Sequence, residues 1–406
     1  MSKFGLLLLA AVLLTTAEAA AKGPMAPRTV FGIVWQKRQT SVAELNALTL
    51  RPVSKTAALG VAGRYLGRSP GGGGRAAFAV GESGSRIVFV DVEKMKREGA
   101  LSLPCGVTGA ITWETADRLV AACGGPASSV LVVDPVTRRL RSRTAIRGTL
   151  IDVQAVNGVL VGLLAPLDGI GQARLVLARG SGRVRTIALP GIRAGSVLID
   201  QETYRIRIEH PALALEPDGH RAVVIPAVGA VVEVDLARLD TVAHALAART
   251  LARANKEVEG ASRHAVWTWS ETIAMSGTDG VPGQAHTTAP AGVTLIDAEK
   301  WTSRDLGAGT NVASNGMSLL GWSLMWDAAR QRTLGNGLTG YAADGAERFH
   351  LFGDEAITAV TLAGTYAYVA SADARRFRIV DTESGKIIGD VRTTRPTTLA
   401  PMRSRF

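Results

Sequence analysis

An all-β array of short-stranded units that closes on itself is the fold class this chain predicts, on three observations. First, an apolar run ending in Asp recurs along it: Val88-Phe89-Val90-Asp91, Leu131-Val132-Val133-Asp134, Val232-Glu233-Val234-Asp235, Thr294-Leu295-Ile296-Asp297 and Arg378-Ile379-Val380-Asp381. Second, alignment on that feature gives anchors at Arg51, Asp91, Asp134, Ala178, Asp235, Asp297, Ala342 and Asp381, separated by 40, 43, 44, 57, 62, 45 and 39 residues. A period in the low forties with four short strands per unit is the spacing of propeller blades, where each unit buries its apolar faces on its neighbours. Third, runs such as Ile87-Val88-Phe89-Val90 lack polar alternation, so the middle strands are covered on both faces. The expectation is a single β-propeller of four-stranded blades, eight by this alignment, with the weak units around Ala178 and Ala342 leaving seven open.

At the start, Lys3 precedes an apolar stretch over residues 4–14 and small residues at Ala17 and Ala19. This is the pattern of a secretory signal peptide over residues 1–21, cleaved after Ala19 or Ala21. The stretch is shorter than the roughly 20 residues a membrane span needs. Residues 22–406 then form one exported propeller domain, secreted or held in the periplasm or cell envelope, monomeric and without stable membrane insertion. Residues 29–35 and 45–50 supply only later strands of a first unit. The C-terminal Pro396-Thr397-Thr398-Leu399-Ala400-Pro401 starts a unit that has no continuation. Pairing the two removes both exposed edges and closes the ring.

The two cysteines, Cys105 and Cys123, flank strands over residues 110–114 and 118–122 that turn at 115–117. A simple register sets Cys123 opposite Thr108, so a loop has to fold back before the sulfurs meet. In an exported chain such a pair reads as a structural disulfide. The unit over residues 211–248 is the clearest: an innermost strand at 212–215, a Glu216-Pro217-Asp218-Gly219 turn, and strands at 221–226, 231–235 and 241–246. The recurring Asp is structural, since a carboxylate at a strand end accepts amide bonds from the following turn.

An insertion spans about 243–292. Residues 243–259 are rich in Ala, Arg and Glu and fit a short helix, and residues 277–292 are rich in Gly, Pro and Thr and fit a long mobile loop. Loops on a rigid scaffold commonly carry binding. His264, Trp267 and Trp269, beside the loop that contains His286, form the candidate binding surface, against the alternative that the aromatics simply pack between blades.

Composition narrows the function classes. The formal net charge is +11, yet most of the 46 basic residues are dispersed Arg and aromatics make up 5% of the chain, which argues against a nucleic-acid stacking platform. No Gly-x-Ser-x-Gly occurs, and Gly71-Gly72-Gly73-Gly74 lacks the Lys-Ser/Thr ending of a phosphate loop. The six His show no metal-ligand spacing. No catalytic residue, cofactor or metal site is expected.

The segment Leu213-Ala214-Leu215-Glu216-Pro217-Asp218-Gly219-His220-Arg221 and the Val-Asp turns, Val380-Asp381-Thr382-Glu383-Ser384-Gly385 among them, resemble the repeats of the YVTN/WD-type and TolB-like propeller superfamilies of exported bacterial proteins. The resemblance implies a propeller fold and a habit of binding, and it carries over no catalytic residue. The chain departs from the WD signature in having Trp326-Asp327 only once. The reading is therefore a secreted module that binds a protein or cell-envelope ligand without catalysis. The rival is an exported propeller hydrolase or lactonase with a divalent cation in the central channel.

Overall fold

Apolar and β-branched runs separated by Gly-, Asp- and Asn-bearing turns fold as strands along the whole of the described chain. The computed structural model describes residues 26–70, 74–125, 128–179, 183–202, 204–246, 260–269, 271–284, 287–327, 331–371 and 375–400. The signal segment expected at 1–21, the glycines at 71–73 and residues 247–259 of the expected helix lie outside them.

The first sheet holds β1 (Thr29–Gln36), β2 (Gln39–Asn46) and β3 (Ala57–Val61). The second is β4 (Arg64–Arg68), β5 (Arg75–Val80), β6 (Arg86–Asp91) and β7 (Lys96–Ser102), and the third β8 (Val107–Thr115), β9 (Arg118–Cys123), β10 (Ser129–Asp134) and β11 (Arg139–Ala145). A larger sheet begins with β12 (Thr149–Val156), β13 (Val159–Ala165), β14 (Gly171–Arg179), β15 (Arg185–Asp200) and β16 (Arg205–His210). The chain then makes a separate sheet from β17 (Ala212–Leu215), β18 (Arg221–Ile225), β19 (Val231–Asp235) and β20 (Thr241–His244). The larger sheet resumes with β21 (Ala261–Trp269), β22 (Thr272–Gly280), β23 (Thr288–Pro290), β24 (Val293–Asp297) and β25 (Thr302–Gly307), the parallel contact of β16 with β21 joining its halves. Next come β26 (Asn311–Ser314), β27 (Leu319–Asp327), β28 (Arg332–Tyr341) and β29 (Glu347–Leu351), then β30 (Ile357–Ala363), β31 (Tyr366–Ser371), β32 (Arg376–Asp381) and β33 (Ile387–Arg392). The last strand, β34 (Thr397–Ala400), returns to the first sheet.

That return is the closure the sequence predicts. β34 pairs antiparallel with β1, Phe31 opposite Ala400 and Val34 opposite Thr397, and the Trp35 amide donates to Pro396 O at 2.9 Å. The innermost strands of successive arrays lie against one another, β4 on β8, β8 on β12, β12 on β17, β17 on β21, β21 on β26 and β26 on β30. Apolar clusters fill the gaps between arrays. Phe31 and Leu59 meet Phe78 and Val88; Phe89 meets Trp113 and Leu119; Val120 and Val130 meet Leu160 and Leu164. Further round, Leu175 and Leu189 meet Leu213 and Val224, Ile225 meets Trp267 and Ile273, and Val293 and Leu295 meet Leu319 and Tyr341. Leu320 and Leu338 then meet Val369, while Tyr368 and Ile379 return to Val30 and Leu45.

This arrangement explains the unbroken apolar runs. In β6, Ile87 and Phe89 enter one cluster while Val88 and Val90 enter the next, so neither face meets water. In β13 every residue is buried.

The strand-end Asp has the expected structural role. The Oδ1 atoms of Asp91, Asp134, Asp235 and Asp297 each accept amides two and three residues on, and Asp381 accepts from Ser384, all at 2.7–3.0 Å. The fourth residue on has positive φ in each case: Met95, Arg138, Leu239, Trp301 and Gly385.

Three expectations are corrected. Residues 45–50 do not make a strand: Leu45 and Asn46 end β2, and the chain turns before β3 forms the outer strand. The first unit's anchor is accordingly Asn46 and not Arg51. Asn46 Oδ1 takes the amides of Leu48 and Thr49, and Leu50 has the positive φ, so Asn does the work of Asp there. The long loop placed at 277–292 is shorter than expected: β22 runs on to Gly280 and β23 pairs back on it from Thr288 to Pro290, which leaves a turn from Val281 between them. At 243–244, where the helix was expected to begin, the chain is still in β20.

The disulfide Cys105–Cys123 is present, with Cα atoms 5.7 Å apart. Its register differs from the simple one: Val107, not Thr108, faces Cys123, because an irregularity between Val107 and Ile111 takes up chain at Gly109. Gly109 has a φ of 68° and lies against Val153, where a Cβ would come within 2.6 Å of that side chain. The hairpin itself turns at Ala116-Asp117, since Thr115 pairs with Arg118.

Candidate functional site

β15 is 16 residues long and serves two hairpins. Its first part is the outer partner of β14, from Arg185 to Ala194. Beyond that it leaves the array and pairs with β16, with Val197 opposite Arg207 and Leu198 opposite Ile206. The departure is made at Gly195, whose φ is 133° and where a Cβ would lie 2.0 Å from Gly169 O, so only glycine lets the strand pass.

Opposite residues of an antiparallel pair share a face, so the hairpin has two distinct sides. One carries Leu198, Ile206 and Ile208 and borders a groove of about 240 Å³ whose other wall is Thr278, Gly280, Val281 and Thr288. The other carries Val197, Arg207 and Glu209 and borders a cleft of about 250 Å³ completed by Arg193, His210, Pro226 and Val228. Val197, Leu198, Ile199, Tyr204 and Ile206 all stand exposed, Tyr204 at 69% and Ile206 at 54%. Five large apolar side chains within ten residues thus stand in water, shared between the two sides of one hairpin.

The polar groups of the cleft are organised. The Glu209 carboxylate accepts from Arg207 Nη2 at 2.7 Å and pairs with Arg193 Nε at 3.6 Å. Behind it, burial pushes the His210 imidazole pKa down, with the charge of His264 as the second cause. Burial raises the Asp152 carboxyl above its usual range; an amide bond from Val153, the nearby His264 and an amide bond from Leu213 oppose this without reversing it. Gln154 ties these strands together: its Nε2 donates to Leu213 O and, at 3.2 Å, to Ala265 O, while its Oε1 accepts from the Leu215 amide at 2.8 Å. One side chain of β12 thereby fixes β17 and β21. Among the described residues no group of three His, Cys, Asp or Glu side chains is placed to hold a metal ion, and no helix is long and apolar enough to cross a membrane.

No family model and no curated protein matches the chain. Solved structures do. One is the dihydro-heme d1 dehydrogenase NirN in complex with DHE, at 11% identity over 95% of this chain and 77% of that one, with a TM-score of 0.59. Another is BamB from Moraxella catarrhalis, at 11% identity over 82% of this chain and 90% of that one, with a TM-score of 0.51. Both are β-propellers, consistent with the repeat resemblance. The chain is a β-propeller.

In this propeller the residues singled out from sequence part company. Trp267 is buried in the cluster between β17–β20 and β21–β24, and Trp269 packs on the next cluster round, so both aromatics serve the core. His264 is exposed on β21, and its charge acts on both Asp152 and His210. His286 lies outside the described residues. The segment expected to carry binding, around 261–292, contributes Thr278, Gly280, Val281 and Thr288 to one wall of the groove. The opposite wall, the β15–β16 hairpin, was missed. Its signal lies in the 57-residue spacing between Ala178 and Asp235 and in the alternation of Arg205-Ile206-Arg207-Ile208 after a polar Asp200-Gln201-Glu202 turn.

Proposed function

We propose that this β-propeller is an exported binding module that docks a partner protein on the β15–β16 hairpin and its two flanking depressions, without catalysing a reaction. The observation that carries the reading is the exposure of Val197, Leu198, Ile199, Tyr204 and Ile206 on one protruding element, at a cost in water contact that a covering partner would relieve. Arg193, Arg207 and Glu209 supply the polar rim that orients such a partner. The two similar propellers bear different names and roles, so fold alone assigns nothing and the site has to. Export is supported by the Lys3-led apolar segment in the sequence and by the Cys105–Cys123 disulfide, which persists in oxidising compartments.

We further infer eight blades and a monomer. The count is supported by treating β12–β15 and β21–β25 as separate blades that β16 happens to bridge, which gives each apolar cluster two neighbouring blades to join.

A photo-reactive residue at Leu198 or Tyr204, introduced in cells that export the protein, is expected to crosslink to one discrete partner. The same residue at the exposed Ile387, on β33, is expected to give none. A triple Val197→Ser, Leu198→Ser, Ile206→Ser variant should melt with the parent, since exposed substitutions change stability by about 0.5 kcal/mol or less, yet lose the Tyr204 adduct. No adduct at the hairpin, or the same adducts at Ile387, would refute the proposal.

A further inference from the structure

We propose that a second site, on the outer side of the β4–β7 and β8–β11 sheets and independent of the hairpin, binds phosphate groups. The turn after β6 and the first residues of β7 present Lys94, Lys96 and Arg97; the turn after β10 presents Arg138. These four and Arg75 line one cleft of about 360 Å³ that also contains Asp91 and Glu98, so five cations face two anions.

Both carboxylates are already engaged. Asp91 Oδ1 holds the Glu93 and Lys94 amides and its Oδ2 lies 3.2 Å from Lys94 Nζ. Glu98 is held by Arg75 through Nε and, at 3.3 Å, Nη2. Glu93, the next acid along, is turned to Arg68 at 3.7 Å. Among the described residues neither Lys96 nor Arg97 has an ion-pair partner, and both stand exposed. Their charge is left over for a ligand.

Arg138 is seated for the task. Its φ of 56° is the left-handed value the turn demands, and its guanidinium lies across β7, where Nη1 donates to Glu98 O. Gly99 makes this possible, because a Cβ there would come within 2.5 Å of Arg138 Cδ. The planar guanidinium keeps its other N–H groups available beside two mobile-stemmed cations, a donor set suited to phosphate oxygens. In the sequence these charges look dispersed because they come from turns that follow Asp91 and Asp134, 43 residues apart; the fold gathers them.

Two arms separate the sources of phosphate. Isothermal titration of the purified protein with tripolyphosphate tests free phosphate, and flotation with phosphatidylglycerol vesicles against phosphatidylcholine vesicles tests a lipid headgroup. Binding in either arm, weakened about tenfold or more by Lys96→Ala with Arg97→Ala and by added salt, is the expected result. Tripolyphosphate binding alone assigns free phosphate, and selective vesicle binding alone assigns the headgroup. Gly99→Ala, which removes no charge but displaces Arg138, should weaken binding as well. The control removes the same charge elsewhere, at the exposed Arg332 and Arg348 of β28 and β29. Binding in neither arm, or an equal loss in Arg332→Ala with Arg348→Ala, overturns the proposal.

Discussion

Asp134 shows why one residue type recurs at the ends of these strands. Its residue exposure is 7%, its Oδ1 takes the Val136 and Thr137 amides at 2.9 Å each, and its Oδ2 takes Arg141 Nη2 at 2.6 Å. The amide bond from Thr137 first, then the Arg141 guanidinium, hold the carboxyl well below its usual range. Replacing it with Ala leaves two amides unmatched and takes from Arg141 one of its two carboxylate partners, Asp117 at 3.0 Å remaining, at an expected cost of about 2 kcal/mol near pH 7. Asn is the sharper test, since Asn46 already performs the same turn in the first sheet. Asp134→Asn should keep most of the stability, losing the charge but not the acceptor. The sign with pH follows from the depressed carboxyl. Its stabilisation is complete above the unfolded value near 3.9 and fades as pH falls through the lower folded value. The parent and Asp134→Ala should therefore converge in acid, measured by urea unfolding across the pH range, and a gap that stays constant to pH 2 would refute this account. The recurring Asp was legible because its bonds reach only two or three residues along the chain. Asn46 was not, because a different residue type fills the role.

At the level of elements, legibility tracks how local the determinants are. β17 and β19 fall where the apolar runs and the Pro217-Asp218-Gly219 turn put them, to the residue. The β15–β16 hairpin depends on Gly195 slipping past Gly169, a contact between segments that periodicity does not report. The cysteines lie between these cases. Their pairing follows from a hairpin that the sequence displays, whereas the register depends on Gly109 packing on Val153 of the neighbouring sheet. The disulfide ties the lead-in to β8 to the end of β9, and Cys123 is fully buried in the cluster around Phe89 and Trp113. Its 18-residue separation implies about 3 kcal/mol of stabilisation by loop closure. A Cys105→Ala, Cys123→Ala variant should lose about that much in denaturant unfolding while folding to the same structure, with a further small loss from the vacated sulfur volume. Adding a thiol reductant should lower the parent's stability and leave the variant unchanged. A parent that is indifferent to reductant would contradict the assignment.

The whole molecule is held by a ring whose clusters each need two neighbours, so its weakest joint is where the ring is not covalently continuous. That joint is the first sheet, in which β34 supplies the innermost strand to β1, β2 and β3. The closure is legible because each end of the chain holds an incomplete unit; the blade number is less so, because the units around Ala178 and Ala342 lack the strand-end Asp that marks the others. Loss of β34 removes buried Leu399 and Ala400, uncovers Phe31 and Ile33, and leaves the backbone edge of β1 unpaired over Phe31–Val34. By apolar burial alone this costs about 4 kcal/mol or more, a large part of an ordinary domain's net stability. An uncovered edge also invites pairing with a second copy. A chain ending at Arg395 should therefore unfold at lower denaturant and associate as its concentration rises. Light scattering and denaturant titration test both at once. Because the clusters are contiguous around the ring, the damage should spread: hydrogen exchange should quicken in β31 and β32, which share a cluster with Val30 and Leu45, and in β5 and β6, which share one with Phe31. β18 and β19, across the ring, should change least. Uniform quickening everywhere, or none beyond β1, would show that the arrays do not stabilise one another through those shared clusters.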